Sequence, residues 1–513
     1  MSTGKVRDFD EITSFLGDYG LFQILIIVLL SFSAMPAGYM GVIVVFVSDT
    51  PEHYCRSSIN STRYGTDWEQ ENGFQERGSW MGPGSCSRYK LRENWTTAAG
   101  FNDTEQCLDG WVFSTDRYTA TIVSEWDLVC DNAWKVPFST SLFFVGVLIG
   151  SFASGHLSDR FGRKPVLFFT MVLQTVTALI QATSVTWVMF SILNCLRGLG
   201  QISSLIASLI LGSEMLSQSV RVTYILLGHS LGFGIGYALL PLFAYFIRGW
   251  RMLLVAAAIP GFLFIPTWCL IPESPRWLLQ KGRVEEAELV IHKAAQWNRV
   301  PAPEVIFRAG ECLELMVLFF LTLCAMKAIV LQYEICSKLM SVTMVYYGLS
   351  LNSSNLNGNV YLNCFISAAI DIVVYVATWL LINRAPRPTF LFSTLMFCGI
   401  MLLVIQLVPE GLCVLALVGK IGVSAAYCFI YVFFTELMPT VVRNMGLGIC
   451  STAARIGAII SPYLLYMSVY SRILPYIIFG TVSIMAAVVS MLLPDTRNSK
   501  LPDLITQTKH IRR

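Results

Sequence analysis

The chain has 513 residues, 55% of them hydrophobic and 13% charged, with a mean hydropathy of +0.60. Soluble proteins carry about 25% charged residues, so this composition excludes a soluble globular domain and predicts an all-α integral membrane protein. The net charge of +3 says little as a total, but its distribution along the chain says a good deal.

Residues 1–20 hold Lys5, Arg7, Asp8, Asp10, Glu11 and Asp18 and read as a polar leading segment. The apolar run Leu21–Val47 is too long for the core of a cleaved signal peptide and is read as the first span. A spanning helix needs about 20 apolar residues. Further runs of that kind lie at about 137–157, 165–184, 187–211, 222–246, 251–271, 360–382, 389–408, 412–434, 445–467 and 474–493. With one crossing in 313–350 the total is twelve.

Connections rich in Lys and Arg alternate with poor ones. Arg160, Arg163 and Lys164 stand in the first, then Arg221, then Arg276, Lys281, Arg283 and Lys293, then Arg384 and Arg387, then Arg443. Cytoplasmic loops are the basic ones, so this side and both termini are expected in the cytoplasm, with Arg248, Arg251 and Arg472 as exceptions at the outer ends. The expected layout is a tail at 1–20, a six-helix half at 21–271, a cytoplasmic loop at 272–332, a second half at 333–493 and a tail at 494–513. Segment 48–136 is then extracellular. It carries three glycosylation sequons, at Asn60, Asn94 and Asn102, and four cysteines, Cys55, Cys86, Cys107 and Cys130. Two disulfides are expected, with three pairings open. The remaining cysteines are read as free thiols.

The two halves repeat. Glu214 and Glu436, Arg221 and Arg443, and Pro272 and Pro494 are each 222 residues apart, in similar contexts. Parallel internal repeats of six helices are a recognised transporter architecture. Between the second and third spans stands "GHLSDRFGRKP" (Gly155–Pro165). It resembles the signature loop of the major facilitator superfamily, G-x-x-x-D-R-x-G-R-K. That resemblance implies a fold of two pseudo-symmetric six-helix halves and a loop that latches them in one state of an alternating-access cycle. Asp159, Arg160 and Arg163 are therefore expected to form state-dependent ion pairs with Glu214, Arg221, Glu436 and Arg443, as gating residues.

"STSLFFVGVLIGSFASGHLSDRFGRK", "LLPLFAYFIRGWRMLL", "IPESPRWLL", "NGNVYLNCFISAAID" and "ELMPTVVRNMG" narrow the likeness. The chain resembles the solute carrier 22 organic ion transporters. "RDFDEITSFLGDYGLFQ", "TPEHYC" and "LPYIIFGTVSI" resemble their organic cation/carnitine branch. The resemblance implies a plasma-membrane carrier for small organic ions and a sodium symporter in some members. Sodium is thus the candidate coupling ion, with no other cofactor. The chain departs from the branch in two places. Pro36-Ala37-Gly38 stands where the branch has Pro-Asn-Gly, and Gly200-Gln201-Ile202-Ser203-Ser204-Leu205 stands where it has G-Q-I-S-N-Y. Two amides whose oxygens suit a hard cation are absent.

Arg455 is the one charge in "GICSTAARIGAII" (Gly448–Ile460). Intramembrane arginines face the bundle interior or a water-filled cavity, and a guanidinium binds carboxylate bidentately. In the family, carnitine and anion carriers have arginine at the matching position. Arg455 is the expected carboxylate anchor, with an internal pair to Asp371 as the alternative. An ammonium group needs aromatic faces, for which Tyr346, Tyr427, Tyr431 and Tyr237 are candidates. Gln201 is a further candidate contact. Lys420 could attract an anion or snorkel. His229 is read as a cavity filler, and Gly228, Gly232 and Gly236 as a helix-packing stripe.

Other chemistries are set aside. "GSEMLSQS" lacks the second glycine and the lysine of a P-loop, so no nucleotide site is expected. Five scattered histidines form no metal cluster, and no nucleophile motif or nucleic-acid signature appears. Residues 305–342 fit the pattern least. Two crossings there would invert the second half, so one span is expected at about 333–350, with 313–331 lying along the membrane or packed on the bundle. The other reading is an aberrant exon. The expected function is a non-enzymatic carrier, monomeric as a transport unit, for carnitine-like zwitterions or organic cations. The alternatives are an organic anion carrier and a transport-incompetent receptor on the same fold.

Overall fold

The computed structural model describes residues 9–56, 86–89, 104–303, 306–307, 326–354, 356, 358–381, 384, 386–408, 412–437 and 440–493. Twelve long helices run through the described residues. The first half contains α1 (Leu21–Val42), α2 (Lys135–Phe161), α3 (Arg163–Ala182), α4 (Trp187–Met215), α5 (Ser230–Phe246) and α6 (Trp250–Phe264). The second contains α7 (Met326–Leu351), α8 (Val360–Leu381), α9 (Arg387–Val404), α10 (Leu412–Leu437), α11 (Thr440–Tyr466) and α12 (Leu474–Ser490). By length and composition, nine spans among the described residues are long and apolar enough to cross a membrane, and α12 is a shorter apolar helix of 17 residues. Helices α7 and α11 carry the buried charges Lys338 and Arg455.

Helix α7 corrects the expectation for the difficult segment. It is one continuous helix, Met326–Leu351, so residues 326–331 share a helix with the span expected at about 333–350. Residues 308–325 lie outside the described residues, as do Asn60, Asn94 and Asn102.

Lipid gives no hydrophobic drive between helices, so small residues set the close approaches. The glycine stripe of α5 packs on α1. A Cβ on Gly232 would lie 2.2 Å from the Ser31 carbonyl oxygen, and one on Gly236 would lie 2.1 Å from that of Met35. Gly146 of α2 meets the Cys195 carbonyl of α4 in the same way. The repeat is visible in this packing. Gly200 joins α4 to Gln174 of α3, and Gly422, 222 residues later, joins α10 to Thr394 of α9.

The face that carries the described parts of segment 48–136 is termed the loop face, and the face with Arg160 and Arg163 the basic face. On the loop face, strand β1 (His53–Cys55) pairs antiparallel with Trp111–Phe113, Tyr54 opposite Val112. Ser87–Tyr89 pairs likewise with Thr104–Gln106. The disulfides are Cys55–Cys107 and Cys86–Cys130, which selects one of the three open pairings. Cys130 lies just before α2, so the second bond ties the segment to the helix. Loss of a disulfide costs about 2–5 kcal/mol. Thermal unfolding in detergent is expected to fall equally for Cys55→Ser, Cys107→Ser and the double variant; a double variant clearly worse than either single would rule out this pairing. Eight further described cysteines form no disulfide.

Arg251, an exception to the charge pattern, has a local partner here. Its guanidinium donates to Glu125 Oε1 and to the carbonyls of Ala182 and Ser184, the latter two at 2.7 and 2.8 Å, while Trp250 Nε1 donates to Glu125 Oε2 at 2.7 Å. Tyr118 donates to Asp49 at 2.7 Å, and burial with that carboxylate pushes the phenol upward.

Near the loop face the two halves are packed together. Tyr361 of α8 stacks on Phe46, just beyond α1, at 5.5 Å between ring centroids. Ser141 of α2 donates to the Ile459 carbonyl of α11 at 2.9 Å, and Phe144 of α2 meets Tyr347 of α7 at 4.8 Å.

Candidate functional site

Four helices of the second half converge on one buried cluster. Arg455 comes from α11, Tyr346 and Tyr347 from α7, Tyr427 and Tyr431 from α10, and Asp371 from α8. Tyr346 and Tyr427 stack face to face at 4.6 Å, nearly parallel. Tyr427 and Tyr431, one helical turn apart, meet edge to face at 5.7 Å. The Arg455 guanidinium lies beside the phenols of Tyr427, Tyr347 and Tyr431. Its Nε has no hydrogen-bond partner, although the residue is 5% exposed. Among the described residues no carboxylate pairs with it.

The alternative pairing of Arg455 with Asp371 is therefore not what the fold builds. Asp371 is held by Lys420 instead. Lys420 Nζ lies 3.1 Å from Asp371 Oδ2, Tyr346 donates to the same oxygen at 3.0 Å, and Ser424 donates to Oδ1 at 2.6 Å. Both charged residues are fully buried. Asp371 and Lys420 face each other across α8 and α10, a pairing that spacing along the chain cannot reveal. Asp371 is consequently an internal counterion in this structure, not a free ligand. Lys420 does not snorkel.

Tyr237 also differs from expectation. Its hydroxyl bonds Ser367 Oγ at 3.0 Å, and Lys420 Nζ lies 4.8 Å from its ring centroid. It thus joins α5 of the first half to the Lys420 network of the second. Tyr427 and Tyr431 are half-buried, whereas Tyr237 and Tyr346 are buried.

Gln201 sits on the opposite half. Its Nε2 donates to the Ala37 carbonyl at 2.6 Å, and its Oε1 is buried without a partner. One turn away is Arg197, which sequence reading missed. Arg197 is 2% exposed and donates to the Met40 carbonyl at 3.0 Å and to Asn194 Oδ1 at 2.6 Å. Its setting in "NCLRGLGQI" was a legible signal, an arginine in the middle of a span.

On the basic face, Arg163 gathers part of the expected gating set. It binds Glu214 through Nε and Nη2, each at 3.0 Å, and Asp159 at 2.9 Å. Arg160 lies over the Phe161 ring instead, because its side chain points out at the end of α2. Arg221 donates to the carbonyls of Ser213 and Leu216 and so closes the C-terminal end of α4. The side chains of Glu436 and Arg443 lie outside the described residues. Glu273, from "PESPR", was not anticipated. Its carboxylate accepts from the backbone N–H groups of Arg163 and Lys164 at 3.0 and 3.2 Å and caps the start of α3, where the helix dipole favours an anion. Burial pushes this carboxyl upward, against the pull of those N–H donors. Gly162 makes the turn, with φ +107° and no room for a Cβ beside Glu273.

Comparison with known proteins matches this geometry to a family. Residues 133–462 match the family model described as Major Facilitator Superfamily. Organic cation/carnitine transporter 2 of Homo sapiens is 44% identical, over 99% of this chain and 95% of that protein. The protein of the same name in Rattus norvegicus is 43% identical with the same coverage. Solute carrier family 22 member 4 of Mus musculus is 43% identical, over 99% and 96%. Among solved structures, the proton:xylose symporter XylE bound to 6-bromo-6-deoxy-D-glucose aligns with a TM-score of 0.63 at 15% identity, over 95% of this chain and 99% of that one. Its inward open form from E. coli gives 0.62 at 16% identity, over 95% and 100%; these two establish the fold alone. The chain is a multi-pass membrane transporter, not an enzyme, and belongs to the major facilitator superfamily within the solute carrier 22 organic ion transporters.

Proposed function

We propose that this transporter carries small zwitterions that join a carboxylate to an ammonium group, carnitine being the leading candidate. The observation that carries the reading is Arg455: a buried guanidinium without an acidic partner among the described residues, beside stacked tyrosines. The guanidinium offers bidentate recognition of a carboxylate, and the tyrosine faces offer cation–π attraction to a desolvated ammonium. The two halves rock about this site. Arg163, Asp159 and Glu214 act as the latch on the basic face, together with Arg160, Arg221, Glu436 and Arg443 as the halves change register. The setting is the plasma membrane, with the basic face and both termini toward the cytoplasm, segment 48–136 outside and glycosylated, and one chain as the transport unit.

Uptake of labelled carnitine by cells displaying the chain tests the reading, measured with sodium and with lithium in its place. Saturable uptake supports it; no uptake with the protein at the surface overturns it. Sodium is proposed as the coupling ion, supported by the resemblance to the carnitine branch and by the unpartnered Gln201 Oε1. Uptake that persists in lithium removes sodium from the mechanism, in keeping with Ala37 and Ser204 where the branch has asparagines. A second reading, an organic anion carrier, is favoured because Asp371, the carboxylate of the cluster among the described residues, is taken up by Lys420. Inhibition of uptake by a simple aryl carboxylate, and not by a tetraalkylammonium, selects it.

A further inference from the structure

The Lys420–Asp371 pair has a meaning for selectivity that Arg455 alone does not supply. A carboxylate at mid-membrane, one tyrosine away from an aromatic platform, would be a cation site if it were free. Here it is not free. Lys420 Nζ, the Tyr346 hydroxyl and the Ser424 hydroxyl occupy its oxygens at 3.1, 3.0 and 2.6 Å. Asp371 and Ser424 are each 0% exposed. The same Tyr346 that donates to Asp371 stacks on Tyr427, and Tyr427 lies beside the Arg455 guanidinium. A single chain of contacts thus runs from Lys420 through Asp371 and the two rings to Arg455.

We propose that Lys420 sets substrate charge selectivity by neutralising Asp371, so that a substrate meets one net positive charge in the cluster. Coulombic effects are strong where the surroundings are apolar, so changing one member of the pair changes the field a substrate meets at the tyrosines. Removal of Lys420 releases Asp371 to attract ammonium groups that carry no carboxylate. Removal of Asp371 leaves a second positive charge beside Arg455 and favours extra negative charge on the substrate. Lys420 and Asp371 act here as positioning and field-setting residues. The inference rests on the reading of Arg455 as the carboxylate anchor.

The test is the ratio of tetraethylammonium uptake to carnitine uptake, per molecule at the cell surface. Lys420→Gln is expected to raise this ratio about tenfold and Asp371→Asn to lower it, as unpaired charges at a binding surface act by amounts of that order. The double variant Lys420→Gln/Asp371→Asn is expected to return near the parental ratio. Shifts of both singles in the same direction, or an unchanged ratio in both, overturn the proposal, since a structural pair alone would lower both uptakes together. Where a single variant is retained inside the cell, Tyr346→Phe replaces it. That change removes one donor from Asp371 and keeps the ring, and it is expected to raise the ratio in the same direction as Lys420→Gln. No change in Tyr346→Phe overturns the proposal as well. Failure of the Arg455 reading is separate: it shows as carnitine uptake that survives Arg455→Ala.

Discussion

Arg455→Ala is expected to lower the kcat/KM for carnitine about 100-fold while the protein still reaches the cell surface. Truncating one partner of a buried, hydrogen-bonded charge pair costs about 2–5 kcal/mol, and here the pair would form only when substrate arrives. Nothing in the described structure competes for the guanidinium except the hydroxyls of Tyr427 and Tyr347. Arg455→Lys keeps the charge and loses the fork that matches a carboxylate, so its uptake should fall between the parent and the alanine variant. The uptake of a tetraalkylammonium should be spared relative to carnitine. Equal uptake of carnitine by the parent and Arg455→Ala, at matched surface amounts, would move the carboxylate site elsewhere in the bundle.

The largest effect on stability is expected at Gly146. A Cβ there would lie 1.8 Å from the Cys195 carbonyl oxygen, so any side chain must push α2 from α4. The obstacle is backbone, which cannot rotate away as a side chain can. Overpacking of this kind costs about 3 kcal/mol, and neighbouring contacts such as Gly198 against the Phe143 carbonyl would open with it. Gly146→Val should therefore show a sharply lower melting temperature in detergent and little protein at the surface. Gly155→Ala is the control. A Cβ at Gly155 meets nothing within 4 Å, so its melting temperature should stay close to that of the parent. A Gly146→Val protein as stable as this control would mean that α2 and α4 do not approach as closely as the structure shows.

Charge was the most transferable signal in the chain. The apolar runs and the 222-residue repeat were enough to anticipate two halves of six helices, because bilayer thickness imposes helix length and each half solves the same packing problem. The one span placed poorly was the seventh. Its leading end, Met326–Leu331, merges with a further apolar run, so hydropathy offered no edge at which to begin the helix. The glycine spacing of α5 was legible as a close contact, but its partner, α1, was not.

The candidate site divides in the same way. That Arg455 needed a reason was plain from thirteen residues of sequence, since a guanidinium inside an apolar run must find a polar partner or a cavity. The tyrosines were named because an ammonium group needs aromatic faces. Which acid belongs to which base was not legible. Asp371, Lys420 and Arg455 stand on three different helices, and local periodicity says only which face of its own helix each occupies. The choice of Lys420 over Arg455 as partner of Asp371 was made by the crossing of α8 and α10, which brings Nζ within 3.1 Å of the carboxylate and leaves the arginine among hydroxyls. Composition and repeat determined a transporter bundle with a buried cation. Long-range packing alone decided that Asp371 is neutralised by Lys420 and not by Arg455, because that depends on distances between segments tens of residues apart.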